Sequence, residues 1–98
     1  MEEQAKKIAD LLKLLGNEHR LLILCALMQQ KLTVGEIHKC SPNITSSALS
    51  QHLNQLKAVG ILSSEKQGMN VIYWIEDKRV IALIELLKKQ YCKDLEEK

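Results

Sequence analysis

Residues 33–62 read TVGEIHKCSPNITSSALSQHLNQLKAVGIL, and the fold follows from how this stretch divides. Thr33 and Glu36 stand at the S/T-x-x-E spacing of a capping box, in which the two side chains satisfy amide N–H groups left open where a helix begins. This predicts a short helix from about Val34. Pro42 has no amide N–H and drives Ser41 out of helical conformation, so that helix should end near Cys40 and the chain should turn. Thr45 is placed to cap a second helix, and Gly60 to stop it in the left-handed region. Two helices around a Ser-Pro-Asn break read as a helix-turn-helix.

On a wheel of about 100° per residue the second helix sorts into two arcs. Ser46, Ser47, Ser50, Gln51, Asn54 and Lys57 form a polar arc, and Ala48, Leu49, His52, Leu53, Leu56 and Val59 form the stripe such a helix buries. With Thr45 at its head, the polar arc offers hydroxyls, amides and an ammonium that suit phosphate oxygens and base edges in a major groove. The same groups suit the solvated face of any surface helix, and this helix alone does not choose between the two.

The next segment changes the balance. Ile61–Ile75, ILSSEKQGMNVIYWI, holds two β-prone runs separated by Gln67, Gly68, Met69 and Asn70, which predicts a hairpin with Lys66 as the charge near its tip. Val71, Tyr73 and Ile75 alternate with Ile72 and Trp74, so both faces are apolar and at least one strand should be covered on both sides. Met69 and Trp74 are expected to pack within this wing. A helix-turn-helix followed by a hairpin is a winged helix, and the pair is more specific than either part.

Outward from this core, Ala5, Ile8, Leu12 and Leu15 recur at helical spacing, widened by Leu11 and Leu14, and Gly16 should end that helix. Asn17 is placed to cap Glu18–Gln29, a nearly all-apolar run that reads as the central buried helix. Asp77 can cap the last helix, where Val80, Ile84, Leu87 and Tyr91 form one stripe and Ile81, Leu83 and Leu86 extend it. Faces this wide at both ends call for two partners each. A homodimer paired through the first and last helices is the simplest way to hide them.

The fold class is therefore mainly α with a small β-hairpin, a winged helix-turn-helix in the order four helices, two strands, one helix. One domain is expected over residues 1–98: helix-turn-helix at about 33–60, wing at about 61–75, terminal dimerisation helices at about 2–15 and 77–94, and a fraying charged end at Lys93–Lys98. Neither a leader, a membrane-length apolar run nor a lipidation motif is present, so a cytoplasmic protein is expected, without membrane partners. Three cysteines in a reducing compartment read as free thiols. A net charge of +2 leaves any nucleic-acid binding to local placement of Lys31, His38, Lys39, Lys57 and Lys66.

Ser50-Gln51-His52-Leu53, then Leu56, Gly60-Ile61-Leu62, Gln67-Gly68 and Tyr73 resemble the ArsR/SmtB type of bacterial winged-helix repressor, over a span from Leu11 to Cys92. The resemblance implies a homodimer that binds double-stranded operator DNA and an effector that changes operator affinity. Residues 78–92 contain no Asp or His and only Glu85, so the family's zinc site on the last helix is not expected; nor is its Cys-x-Cys pair, since Cys40 stands alone. Leu22-Ile23-Leu24-Cys25 and Tyr91-Cys92 are similar to the dithiol segments of the persulfide-responsive branch (BigR, SqrR and HlyU types). The resemblance thus implies that Cys25 and Cys92 are the effector site for reactive sulfur species.

From residue types alone, the favoured reading is instead Cys25 as a small core hydrophobe and Cys92 as an exposed bystander. Cys40, three residues after Ile37, is expected to fill an apolar position; as a third thiolate it would serve arsenic(III), the thiophilic metalloid alternative. A winged helix that binds protein rather than DNA is the alternative of another class. His52 is expected as a packed ring, and His19 and His38 have no partners at ligand spacing. No nucleophile elbow, phosphate loop, metal site or cofactor is implied, and an enzyme is not expected.

Overall fold

A computed structural model describes residues 1–92. Its order is α1 (Glu2–Leu15), α2 (Glu18–Leu27), β1 (Leu32–Thr33), α3 (Val34–Cys40), α4 (Ser46–Ala58), β2 (Leu62–Gln67), β3 (Asn70–Ile75) and α5 (Lys78–Tyr91). This is the five-helix winged fold, with one strand more than the sequence implied. The expected end of the last helix at 94 and the charged segment Lys93–Lys98 lie outside the described residues.

The predicted helix boundaries rest on the expected groups. The Thr33 hydroxyl accepts from the Glu36 amide at 3.2 Å, and the Glu36 carboxylate accepts from the Thr33 amide at 2.8 Å, closing the capping box. Asn17 accepts from His19 and Arg20, Thr45 from Ala48, and Asp77 from Arg79, so three further helices begin on a side-chain cap. Gly60 takes φ +82° just beyond α4, the left-handed stop that a Cβ would disfavour.

β3 lies between β1 and β2, antiparallel to both. Leu32 faces Tyr73 and Thr33 faces Ile72, while Leu62 faces Ile75 and the pairing closes at Gln67 opposite Asn70. Gly68 and Met69 form the two-residue loop, with only Gly68 at positive φ, the sign pattern of a type II′ turn. β3 is covered unequally: Tyr73 and Ile75 are buried, whereas Ile72 and Trp74 are half-buried. Lys31 covers Trp74, its ammonium 4.4 Å from the ring centroid.

The core gathers Ile23 and Leu24 of α2, Ile37 of α3, Leu49, Leu53 and Leu56 of α4, Leu62 of β2, and Val80 and Ile84 of α5. Several expectations need correction. Met69 is 98% exposed at the wing tip, because a two-residue loop leaves its side chain nothing to pack on. Val59 lies one residue past α4, where the wheel no longer applies, and is exposed. α2 ends at Leu27 rather than Gln29 and leaves Leu21 and Leu22 on the surface, so it is buried along one side only. In α1 the inward residues are Leu11, Leu14 and Leu15, while Ala5, Ile8 and Leu12 face outward.

Candidate nucleic-acid interface and thiol pair

The polar arc of α4 is open along its length. Ser46, Ser47, Ser50, Gln51, Asn54 and Lys57 are all exposed, as are Thr45 at its head and Lys66 on the wing. Leu49, Leu53 and Leu56 on the opposite side are buried to within 1% of full enclosure, which fixes which way the polar residues point. Lys57 donates to the Ser64 hydroxyl at 2.7 Å, tying the last turn of the helix to the first wing strand. The turn leading into α4 is held by the His38 ring, whose Nε2–H donates to the Ile44 carbonyl at 2.8 Å. The Thr45 hydroxyl is occupied as a helix cap at 3.1 Å, so its first role is structural.

The second candidate site is the thiol pair. Cys25, Cys40 and Cys92 are all free. Cys25 is half-buried against the core, and Cys92 follows the end of α5, where its amide donates to the Lys88 carbonyl at 2.9 Å. Burial pushes the Cys25 thiol above its ordinary value, Lys88 pulls it down, and the neighbouring Cys92 raises it further. Cys92 therefore lies within electrostatic reach of Cys25, with Lys88 as the local cation. An open groove of about 500 Å³ runs beside this region, lined by Met28 and Gln29 just past the end of α2 and by Ile81, Glu85, Leu86, Lys88 and Lys89 of α5.

Cys40 does not fill an apolar position: it is exposed, and its Sγ donates to the Glu36 carbonyl at 3.6 Å. The helix turns it outward from Ile37, three residues before. Among the described residues no group of three or more His, Cys, Asp and Glu side chains is gathered as a metal would need, so the three cysteines do not form one cluster. His52 is half-buried, as expected for a packed ring. Sequence reasoning gave no role to Arg20 or Lys88. A lone arginine in the first turn of the apolar run EHRLLILCAL was the available signal for the first; the second depends on the packing of α5 beside α2.

A winged helix that leaves a polar arc exposed on α4 suits a DNA-binding regulator, and the comparisons give the class a family. Residues 17–64 match the model of the bacterial regulatory protein, arsR family. The chain is 41% identical to the Vibrio cholerae transcriptional activator HlyU, across 94% of this chain and 84% of that protein. A structure of reduced HlyU superimposes with a TM-score of 0.85, covering 94% of this chain and 96% of that one. The transcriptional repressor BigR of Xylella fastidiosa, 29% identical, also gives 0.85 over 94% of this chain and 93% of its own. A Mycobacterium bovis protein described as a homodimeric winged helix-turn-helix DNA-binding domain gives 0.79 at 26% identity, over 99% and 89% of the two chains.

The chain belongs to the ArsR family of bacterial transcriptional regulators.

Proposed function

We propose that the protein is a homodimeric repressor that holds double-stranded operator DNA through α4 and the wing, and releases it when Cys25 and Cys92 react with persulfide or a related sulfur oxidant. The observation that carries the switch is the electrostatic influence of Cys92 and Lys88 on the Cys25 thiol, two free cysteines drawn from distant parts of the sequence. Free thiols of this kind belong to a reducing compartment such as the cytoplasm.

The DNA reading draws on the exposed arc from Thr45 to Lys57 and on Lys66. The dimer reading draws on the apolar stripes left open by α1 and α5 and on the homodimeric relative. The choice of repressor follows BigR and the family; HlyU, described as an activator, acts in the other direction, and a thiol switch works with either sign.

The chemistry balances without a metal. One cysteine thiolate attacks the outer sulfur of an organic persulfide, giving a protein persulfide and the free organic thiol. The second thiolate then attacks the inner sulfur of that protein persulfide, forming the Cys25–Cys92 disulfide and releasing hydrogen sulfide. A bridge that encloses this stretch of chain stabilises whichever state accommodates it, by about 4 kcal/mol in the chain-entropy model. Only the part that differs between DNA-competent and incompetent states alters operator affinity, and such couplings are on the order of 1 to 3 kcal/mol.

The test compares wild type, Cys25→Ser and Cys92→Ser in operator binding before and after an organic persulfide. Loss of binding in wild type alone is the expected result; loss in all three proteins contradicts the dithiol. Parallel titration with arsenic(III) or cadmium(II) tests thiolate sensing of a metal or metalloid by its charge-transfer absorption. Duplex binding that ignores salt would favour a protein-binding winged helix instead.

A further inference from the structure

Arg20 stands in the first turn of α2, half-buried, and all three of its guanidinium nitrogens are engaged. Nε donates to Nδ1 of His52 at 3.0 Å, one terminal nitrogen donates to the Leu14 carbonyl of α1 at 3.0 Å, and the other donates to the Gln55 side-chain carbonyl. One side chain of α2 thus holds the end of α1 and two positions of α4. Gln55 lies only about 40° beyond Gln51 on the helical wheel, so the clasp grips α4 at the rim of its polar arc.

A guanidinium gives up no proton near neutral pH, so the nitrogen it faces must offer a lone pair. His52 is therefore neutral here, with its proton on Nε2. Among the described residues, the charged and titratable groups that act on it are Arg20 and His19, both from α2, the His19 ring centroid being 6.0 Å away. Protonating Nδ1 would set an N–H against the Arg20 N–H. Burial first, then Arg20 and His19, hold His52 below the ordinary histidine value.

We propose that Arg20 is the positioning residue of the recognition helix: it fixes the rotation of α4 against α1 and α2, and it does so only while His52 is neutral. Arg20 itself touches no DNA in this account; it acts through the placement of Gln51 and its neighbours. The inference rests on the family's DNA binding and not on the thiol switch, and the test uses fully reduced protein, so the two succeed or fail separately.

The experiment is operator affinity of the reduced full-length chain from pH 8 down to pH 5, for wild type, Arg20→Gln, Arg20→Lys and His52→Asn. Wild type should weaken as the pH falls below the ordinary histidine value of 6.5. His52→Asn, whose amide oxygen accepts from Nε without taking a proton, should lose part of that acid limb relative to its own affinity at pH 8. His19 and His38 are present in both proteins, so the difference between the profiles isolates His52. Arg20→Gln should bind about tenfold more weakly at pH 8, the loss expected of one strong bond (~1.4 kcal/mol). Arg20→Lys, which keeps the charge but not the fork, should recover only part.

An NMR titration of the His52 ring supplies a readout that general destabilisation does not move: its midpoint should rise in Arg20→Gln. Wild-type affinity in Arg20→Gln, or superimposable pH profiles for wild type and His52→Asn, overturns the proposal. Should Arg20→Gln fail to fold, the His52→Asn comparison decides alone.

Discussion

The recognition helix and the two terminal helices each bury one face and leave another open, and the open faces differ in kind. That of α4 is made of hydroxyls, amides and one lysine ammonium that water satisfies at little cost. On α1 and α5 the open faces carry Ile8 at 56%, Leu12 and Leu86 at 54% and Tyr91 at 80% exposure. Exposed apolar side chains at helical spacing favour a lasting cover, whereas a polar arc can gain and lose a partner. In the proposed repressor the lasting contact therefore falls to the ends of the chain and the reversible one to its middle.

Charging the terminal faces should break this division most severely. Leu12→Glu combined with Leu86→Glu would place unpaired carboxylates in the proposed dimer contact, at a cost of several kcal/mol. Sedimentation equilibrium should show a folded monomer, with operator affinity down on the order of 100-fold or more. A dimer that survives would move the interface elsewhere.

Within α4, the two faces can be set against each other. Leu53→Ala removes a fully packed side chain and should cost about 2–5 kcal/mol in urea unfolding; Ser50→Ala, one turn earlier on the open side, should stay within about 0.5 kcal/mol. On operator DNA the order reverses for the polar arc. Gln51→Ala should lose about 1–3 kcal/mol of binding and relax base preference, with stability unchanged. Equal loss on random duplex would reassign Gln51 to phosphate contact. Thr45→Ala removes the cap donated to by the Ala48 amide and should lower stability by about 1 kcal/mol.

Much of this was legible in the sequence because it depends on local chemistry. The capping box at Thr33 and Glu36, the caps at Asn17, Thr45 and Asp77, and the stop at Gly60 need only near neighbours. β1 was not legible: two residues, Leu32 and Thr33, cannot display alternation, and they become a strand only when β3 arrives beside them. The hold of Arg20 on α4 and the influence of Lys88 on Cys25 join residues more than thirty positions apart, which no periodicity encodes. The pairing of Cys25 with Cys92 comes from family resemblance; what the fold adds is the influence of Cys92 and Lys88 on the Cys25 thiol.

That environment yields the smallest predicted effect and the clearest sign. Cys25 should be alkylated faster as pH rises, because its thiolate is held back by burial. Cys92→Ser removes one cause of the upward shift and should lower the midpoint, while Lys88→Ala removes the opposing charge and should raise it. Midpoints that do not respond to either change would separate the thiols and remove the basis of the switch.

The most direct measurement of the account is a titration of the reduced protein with an organic persulfide, following intact mass and operator occupancy in the same samples. The account predicts that the fraction of chains linked between Cys25 and Cys92 and the fraction of operator released rise together. Full linkage with the operator still bound, or release with both thiols free, would contradict it.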